Sequence, residues 1–118
     1  MGTLHIKKLR LRAYIGFNDH ETDKLQDVII SYKIDYDSRE AAISDNPALA
    51  LDYKAINKNI IALVDEKRFK LLEALTHSIA SVIMTYSQVK TTTVDVEKPN
   101  ALRFTDNVIF TLTLTRDA

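Results

Sequence analysis

Polar and apolar positions alternate from Lys8 to Ile15: Leu9, Leu11, Ala13 and Ile15 fall on one face, Lys8, Arg10, Arg12 and Tyr14 on the other. A period of two predicts a strand with one buried face. Gly16 then opens a polar loop, Phe17 to Lys24. A second alternation sets Val28, Ile30, Tyr32, Ile34 and Tyr36 against Ser31, Lys33 and Asp35. Two such strands joined by a short polar loop read as an antiparallel hairpin.

The middle of the chain changes period. Ile56, Ile60, Leu63 and Val64 recur at helical spacing after Asp52-Tyr53, and Arg68-Phe69 marks a break. Leu71, Leu72, Leu75, Ile79, Val82, Ile83 and Tyr86 predict a second amphipathic helix. The β-branched run from Val89 through Thr91, Thr92, Thr93, Val94 and Val96 predicts a third strand, which Pro99-Asn100 turns. Val108, Phe110, Leu112 and Leu114, alternating with Thr111, Thr113 and Thr115, predict a fourth. The order β-β-α-α-β-β gives an α+β fold, a four-stranded antiparallel sheet with two helices on one face. Its edges invite pairing with another copy, and closure into a ring would remove them. Only Gly2, Gly16, Pro47 and Pro99 punctuate the chain, so residues 1–118 are expected to form one continuous domain.

Composition narrows the function classes. The 46% apolar content of these 118 residues is enough for a core. Sixteen basic residues balance sixteen acidic ones, which argues against a dedicated nucleic-acid binder. With no Cys, a thiol nucleophile, a thiolate metal site and a disulfide framework are excluded. No signal-like apolar stretch or run of about 20 apolar residues occurs, so no membrane partner is expected and the expected compartment is the cytoplasm. Phosphate-loop, dinucleotide and metalloprotease motifs are absent, and two glycines are too few for a phosphate cradle. His5, His20 and His77 are scattered over a strand, a loop and a helix without ligand spacing, so they read as ordinary histidines rather than a metal set.

Four residues remain as chemical candidates, each with an ordinary alternative. Glu21 stands in the polar loop, where a solvated acid is usual. Tyr53 opens the first helix beside Asp52, a natural N-cap, and an aromatic there often just packs. Glu73 lies in the first turn of the second helix, where a carboxylate complements the helix dipole. Lys98 ends the third strand, a common place for a solubilising lysine.

Taken together and in order, these stretches resemble the dihydroneopterin aldolase and dihydroneopterin triphosphate epimerase family. The matching pieces are Leu9-Arg10-Leu11-Arg12-Ala13-Tyr14-Ile15-Gly16 followed by Glu21, Leu49-Ala50-Leu51-Asp52-Tyr53, Arg68-Phe69-Lys70-Leu71-Leu72-Glu73, and Val96-Glu97-Lys98-Pro99-Asn100-Ala101-Leu102-Arg103-Phe104. They span nearly the whole chain. The resemblance implies the tunnelling fold, with four sheets in a barrel ring, two rings stacked as a homo-octamer, and active sites between neighbouring subunits. It implies no metal and no organic cofactor.

Carried over by position, the resemblance makes Glu73 the anchor for a pterin, its carboxylate accepting two parallel hydrogen bonds from the 2-amino group and ring N3–H. Leu72 lies beside it in the binding site. Tyr53 approaches from the adjacent subunit, Glu21 lies near the side-chain hydroxyls, and Lys98 is the acid/base group. The implied reaction is a retro-aldol cleavage. In 7,8-dihydropterin the C6=N5 imine accepts the bonding electrons, so no Schiff-base lysine is needed. The protein supplies orientation, a base for the C2′ hydroxyl and a proton near N5. A lysine serves as that base where burial or a neighbouring cation lowers its pKa. Strand alternation directs Glu97 to the face opposite Lys98, so the two are not expected to pair.

Both activities of the family begin with this cleavage. Protonation of C1′ and release of the aldehyde gives the aldolase products; turning the aldehyde over and re-adding it inverts C2′. Ala101-Leu102-Arg103-Phe104 and Leu9-Arg10-Leu11-Arg12 lean towards the epimerase branch, whereas Asp52-Tyr53-Lys54 departs slightly from the family's usual Asn/Ser-Tyr. A triphosphate substrate calls for cations at the pocket mouth, and Arg103, Lys54 and Arg12 are the candidates. The remaining alternative is a pterin-binding ring without turnover, against which the intact Glu21, Tyr53, Glu73 and Lys98 speak.

Overall fold

The computed structural model describes residues 1–18 and 20–117. Four strands form one sheet in the order β1-β2-β3-β4: β1 Gly2–Tyr14, β2 Leu25–Tyr36, β3 Val89–Pro99 and β4 Asn107–Thr115. Every neighbouring pair is antiparallel. Two long helices, α2 (Tyr53–Glu66) and α3 (Leu72–Met84), follow a short helix α1 (Arg39–Ser44) and the 3-10 turn Pro47–Leu49.

The core lies between the sheet and the long helices. Val28, Ile30, Tyr32 and Ile34 of β2, with Val94 and Val96 of β3, pack against Ile56 and Ile60 of α2 and Leu75, Ile79 and Ile83 of α3. These are the positions picked out by the two periods. Asp52 caps α2, its side chain accepting from the Ala55 amide at 3.0 Å. Buried Thr76 is satisfied within its own helix, donating to the Leu72 carbonyl at 2.7 Å.

Two features differ from the sequence pattern. β1 begins at Gly2 rather than near Leu9, and it does so through a bulge. Its register runs Ile6↔Tyr32 and then Leu9↔Ile30, so Lys7 and Lys8 together oppose Ser31. Lys8 adopts φ 64°, and its amide donates to Ser31 Oγ at 3.0 Å. The extra residue shifts the alternation by one, which lets Leu4 and Ile6 as well as Leu9 and Leu11 pack on the core. The second difference is α1 with its following turn. Neither buries a residue, so neither leaves an apolar period to read.

The linker between α2 and α3 positions the site. Phe69 donates to the Tyr14 carbonyl at 2.9 Å and Gly16 donates to the Phe69 carbonyl at 3.0 Å. This one-residue parallel bridge, Ile15↔Phe69, ties the start of α3 to the loop that follows β1. Among the described residues, β1 and β4 are left as open edges of the sheet.

Candidate active site

Glu21, Leu72, Glu73 and Lys98 line one cavity of about 290 Å³, with Gly16 and Phe17 from the loop and Ala101, Leu102 and Val108 from the β3–β4 hairpin. That volume is at the lower end of what holds a small molecule. Each side chain arrives from a different element: Glu21 from the loop after β1, Glu73 from the first turn of α3, and Lys98 from the end of β3 on the helix-covered face.

Lys98 Nζ donates to Glu21 Oε2 at 2.6 Å, with the two side chains only 15% and 13% exposed. Asn18 Nδ2 donates to the other oxygen, Oε1, at 2.9 Å. Gln26 Nε2 reaches Oε2 at 3.4 Å while donating to the Ile15 carbonyl at 2.6 Å. The Lys98 hydrogen bond, above all, holds the Glu21 carboxyl below its ordinary range. Partial burial opposes this shift, and the Lys98 charge, Gln26 and the Asn18 backbone add to it. Gly16 makes this packing possible. It adopts φ 140°, and a Cβ there would lie 2.6–2.7 Å from the Glu21 side chain.

Glu73 differs in kind. It is exposed, stands in the positive end of the α3 dipole, and makes no hydrogen bond or ion pair among the described residues. Its two oxygens are therefore free to accept. A free carboxylate facing an ion-paired lysine across a small cavity suits a ligand with adjacent N–H donors at one end and a proton-accepting or hydroxylated group at the other.

The other expected residues lie elsewhere in the chain. Tyr53, 48% exposed, lines a separate groove with Lys54, His5, Ile6, Asn57, Lys58 and Ile61. Arg103 is exposed in the hairpin loop, its guanidinium over the Phe104 ring at 5.8 Å, and does not line the cavity. Arg12 is held along the first hairpin by the Leu25 carbonyl at 3.0 Å and Asp27 at 3.4 Å. Of the two environments expected for Lys98, burial or a neighbouring cation, the side chain is largely buried, and its charged neighbour is an anion, Glu21. Glu97 does point away from Lys98, towards Lys8 and Asn107. Among the described residues no His, Asp and Glu side chains converge as a metal-binding set.

Three contributors escaped sequence reasoning. Lys70 lines the cavity and has no acidic partner among the described residues, whereas nearby Arg68 is taken by Asp23 at 2.9 Å and by the Tyr14 ring at 3.9 Å. Asn18 carried a usable signal, since an Asn three residues before a loop acid is a turn-former able to hold it. Gln26 carried none.

Comparison with known proteins gives the family and the fold. A curated dihydroneopterin triphosphate 2'-epimerase of Pseudomonas aeruginosa is 40% identical over 112 residues, covering 95% of this chain and 91% of its own. A dihydroneopterin aldolase of Haemophilus influenzae is 27% identical over 108 residues, covering 92% of each. The crystal structure of Escherichia coli dihydroneopterin aldolase in complex with neopterin superposes with a TM-score of 0.90 at 25% identity, over 97% of this chain and 99% of that one. The sheet with its helices is thus the tunnelling fold. The model of the family described as FolB, dihydroneopterin aldolase, matches residues 4–113, which take in the loop of Glu21, the α3 start of Glu73 and the strand end of Lys98, and the chain belongs to that family.

Proposed function

We propose that this enzyme is a dihydroneopterin triphosphate 2'-epimerase, converting its substrate to dihydromonapterin triphosphate by retro-aldol cleavage and re-addition. The observation that carries the reading is the single cavity holding the unpaired carboxylate of Glu73 and the Lys98–Glu21 ion pair. The 40% identity to an epimerase, against 27% to an aldolase, supports the choice of branch.

Glu73 accepts from the 2-amino group and N3–H of the pterin. This fixes the ring so that the C6 side chain extends towards Lys98 and Glu21. A base in that pair takes the proton of the C2′ hydroxyl. The C1′–C2′ bond breaks, its electrons form C1′=C6, and N5 gains a proton. The products of cleavage are the pterin enamine and a two-carbon aldehyde, which carries the triphosphate when the substrate does. Addition of C1′ to the opposite face of the aldehyde, with the protons returned, inverts C2′. Protonation of C1′ instead completes the aldolase reaction, the second reading, which the family description favours.

The small cavity of one chain and the separate position of Tyr53 support a site completed by a neighbouring subunit, which brings its Tyr53 to the pterin. A homo-octamer of two stacked rings, working in the cytoplasm, follows from the family resemblance. The open β1 and β4 edges suit ring closure.

Product analysis by chromatography tests the reading. Purified protein is incubated with 7,8-dihydroneopterin and, separately, with its triphosphate. Threo-configured monapterin products with preference for the triphosphate are expected. Mostly 6-hydroxymethyl-7,8-dihydropterin establishes the aldolase instead, and no turnover of either compound refutes both.

A further inference from the structure

Glu97 is a charged residue with a side chain only 9% exposed, and the reaction as described does not use it. It lies on the face of the sheet away from the helices, one residue before Lys98. Its Oε2 accepts from Asn107 Nδ2 at 2.8 Å and its Oε1 from Lys8 Nζ at 3.4 Å. Asn107 is the first residue of β4, and Lys8 is the bulged residue of β1. One carboxylate therefore spans the outer face from β1, across β2 and β3, to β4.

Its location in the ladder gives this brace a consequence. The pairing of β2 with β3 ends at Ile29↔Glu97. Beyond it, Lys98 and Pro99 are paired only with β4, as Lys98↔Val108 and Pro99↔Asn107. Pro99 has no N–H with which to prolong the β2 ladder. The backbone of Lys98 is accordingly held from one side, and its place depends on where β4 begins. Asn107 sits diagonally across from Glu97 on the same face, within reach of a long side chain. The hydrogen bond between them fixes that beginning. On the other face of the sheet, Lys98 must meet Glu21 with both side chains largely buried.

We propose that Glu97 is a positioning residue for Lys98, bracing the start of β4 through Asn107 so that the lysine ammonium meets the substrate in register. This rests on the reading of Lys98 as the acid/base group, but part of its test does not. With Glu97→Ala, kcat is expected to fall about tenfold while KM stays within about twofold, because the pterin anchor Glu73 is untouched and a misplaced reacting group costs rate. In protein labelled at lysine 13Cε, the Lys98 resonance is expected to shift and broaden. Asn107→Ala is expected to reproduce both effects, and the double variant to be no worse than either single one. Glu97→Gln keeps an acceptor for Asn107 and is expected to recover both readouts. If Glu97→Ala fails to fold, the Asn107→Ala and Glu97→Gln comparison decides alone. Unchanged kcat and an unmoved Lys98 resonance in Asn107→Ala overturn the brace, as does a Glu97→Gln variant damaged like the alanine. If the wild-type protein turns over neither pterin, the functional reading falls, and the Lys98 resonance still decides the brace.

Discussion

Lys98 Nζ lies 2.6 Å from Glu21 Oε2, joining residues 77 apart in sequence at the centre of the cavity. The contact couples the acid/base group proposed for the reaction to the loop behind β1. Removing the lysine leaves Glu21 with Asn18 and Gln26 as partners, and the core beneath is apolar and intact. Lys98→Ala is therefore expected to fold and assemble while losing retro-aldol activity by about 10²-fold or more. Activity at the wild-type level in a folded variant would strip Lys98 of its role.

The same pair makes a pH prediction with a definite sign. The Glu21 carboxyl in the folded protein sits below its ordinary 4.5, chiefly through the Lys98 hydrogen bond. A depressed folded-state pKa contributes stability that is complete above the unfolded value and is lost as pH falls through the folded one. Denaturant melts of wild type and Glu21→Gln should thus differ most above pH 4.5 and converge as the pH drops below it. A difference that stays constant down to strongly acidic pH would mean that the ionised carboxylate is not what the pair stabilises.

Gly16 tests whether the loop is built around Glu21. At φ 140°, an alanine is strained before any contact is considered, and its Cβ would meet Glu21 carbons and Oε1 at 2.6–2.7 Å. Gly16→Ala is expected to cost about 1–3 kcal/mol in urea denaturation and to displace Glu21 from Lys98. Wild-type stability and activity would show that the loop readily reshapes.

How much of this was legible in the sequence follows from what each feature depends on. The strands and long helices were legible because their buried positions repeat: Val28, Ile30, Tyr32 and Ile34 at two, Ile56, Ile60 and Val64 at four. The β1 bulge was written there too, as the step from Leu4 and Ile6 to Leu9 and Leu11 across Lys7-Lys8, but a phase change reads as a strand start until a partner strand is seen. The helix Arg39–Ser44 buries nothing, so pattern had nothing to report. Glu21, Glu73 and Lys98 rose above their ordinary alternatives only through family resemblance, since periodicity gives no reason for a loop acid and a distant strand-end lysine to meet. Lys70 remained invisible because an exposed lysine carries no signal until the cavity beside it is known.

Glu73 and Lys70 separate two kinds of recognition in one cavity. Glu73→Gln replaces one accepting oxygen with a donor, so calorimetry should show pterin binding weakened by about 10- to 100-fold, the worth of a charged hydrogen bond. Lys70→Ala should leave the unphosphorylated compound alone and raise KM for the triphosphate, since Lys70 is the cavity's cation without an acidic partner among the described residues. Arg103→Ala is the comparison. A larger effect there would assign phosphate recognition to the hairpin loop, where the charge of a triphosphate made Arg103 a candidate, and remove it from Lys70.

Tyr53 carries the last prediction, because its role requires a second copy of the chain. In one chain it lines a different groove from Glu73 and Lys98. A tyrosine that serves its own site and one that serves the neighbour's are distinguished by mixing. Tyr53→Ala and Lys98→Ala proteins, each inactive alone, are unfolded together in equal amounts and refolded. If each site takes Lys98 from one subunit and Tyr53 from the next, random assembly gives about a quarter of the sites both residues intact. Activity should then return to about a quarter of the wild-type value. If both residues come from one subunit, every site carries one lesion whatever the mixture, and refolding together restores nothing. The second outcome would assign Tyr53 to the site of its own subunit and leave the neighbouring subunit without a part in it.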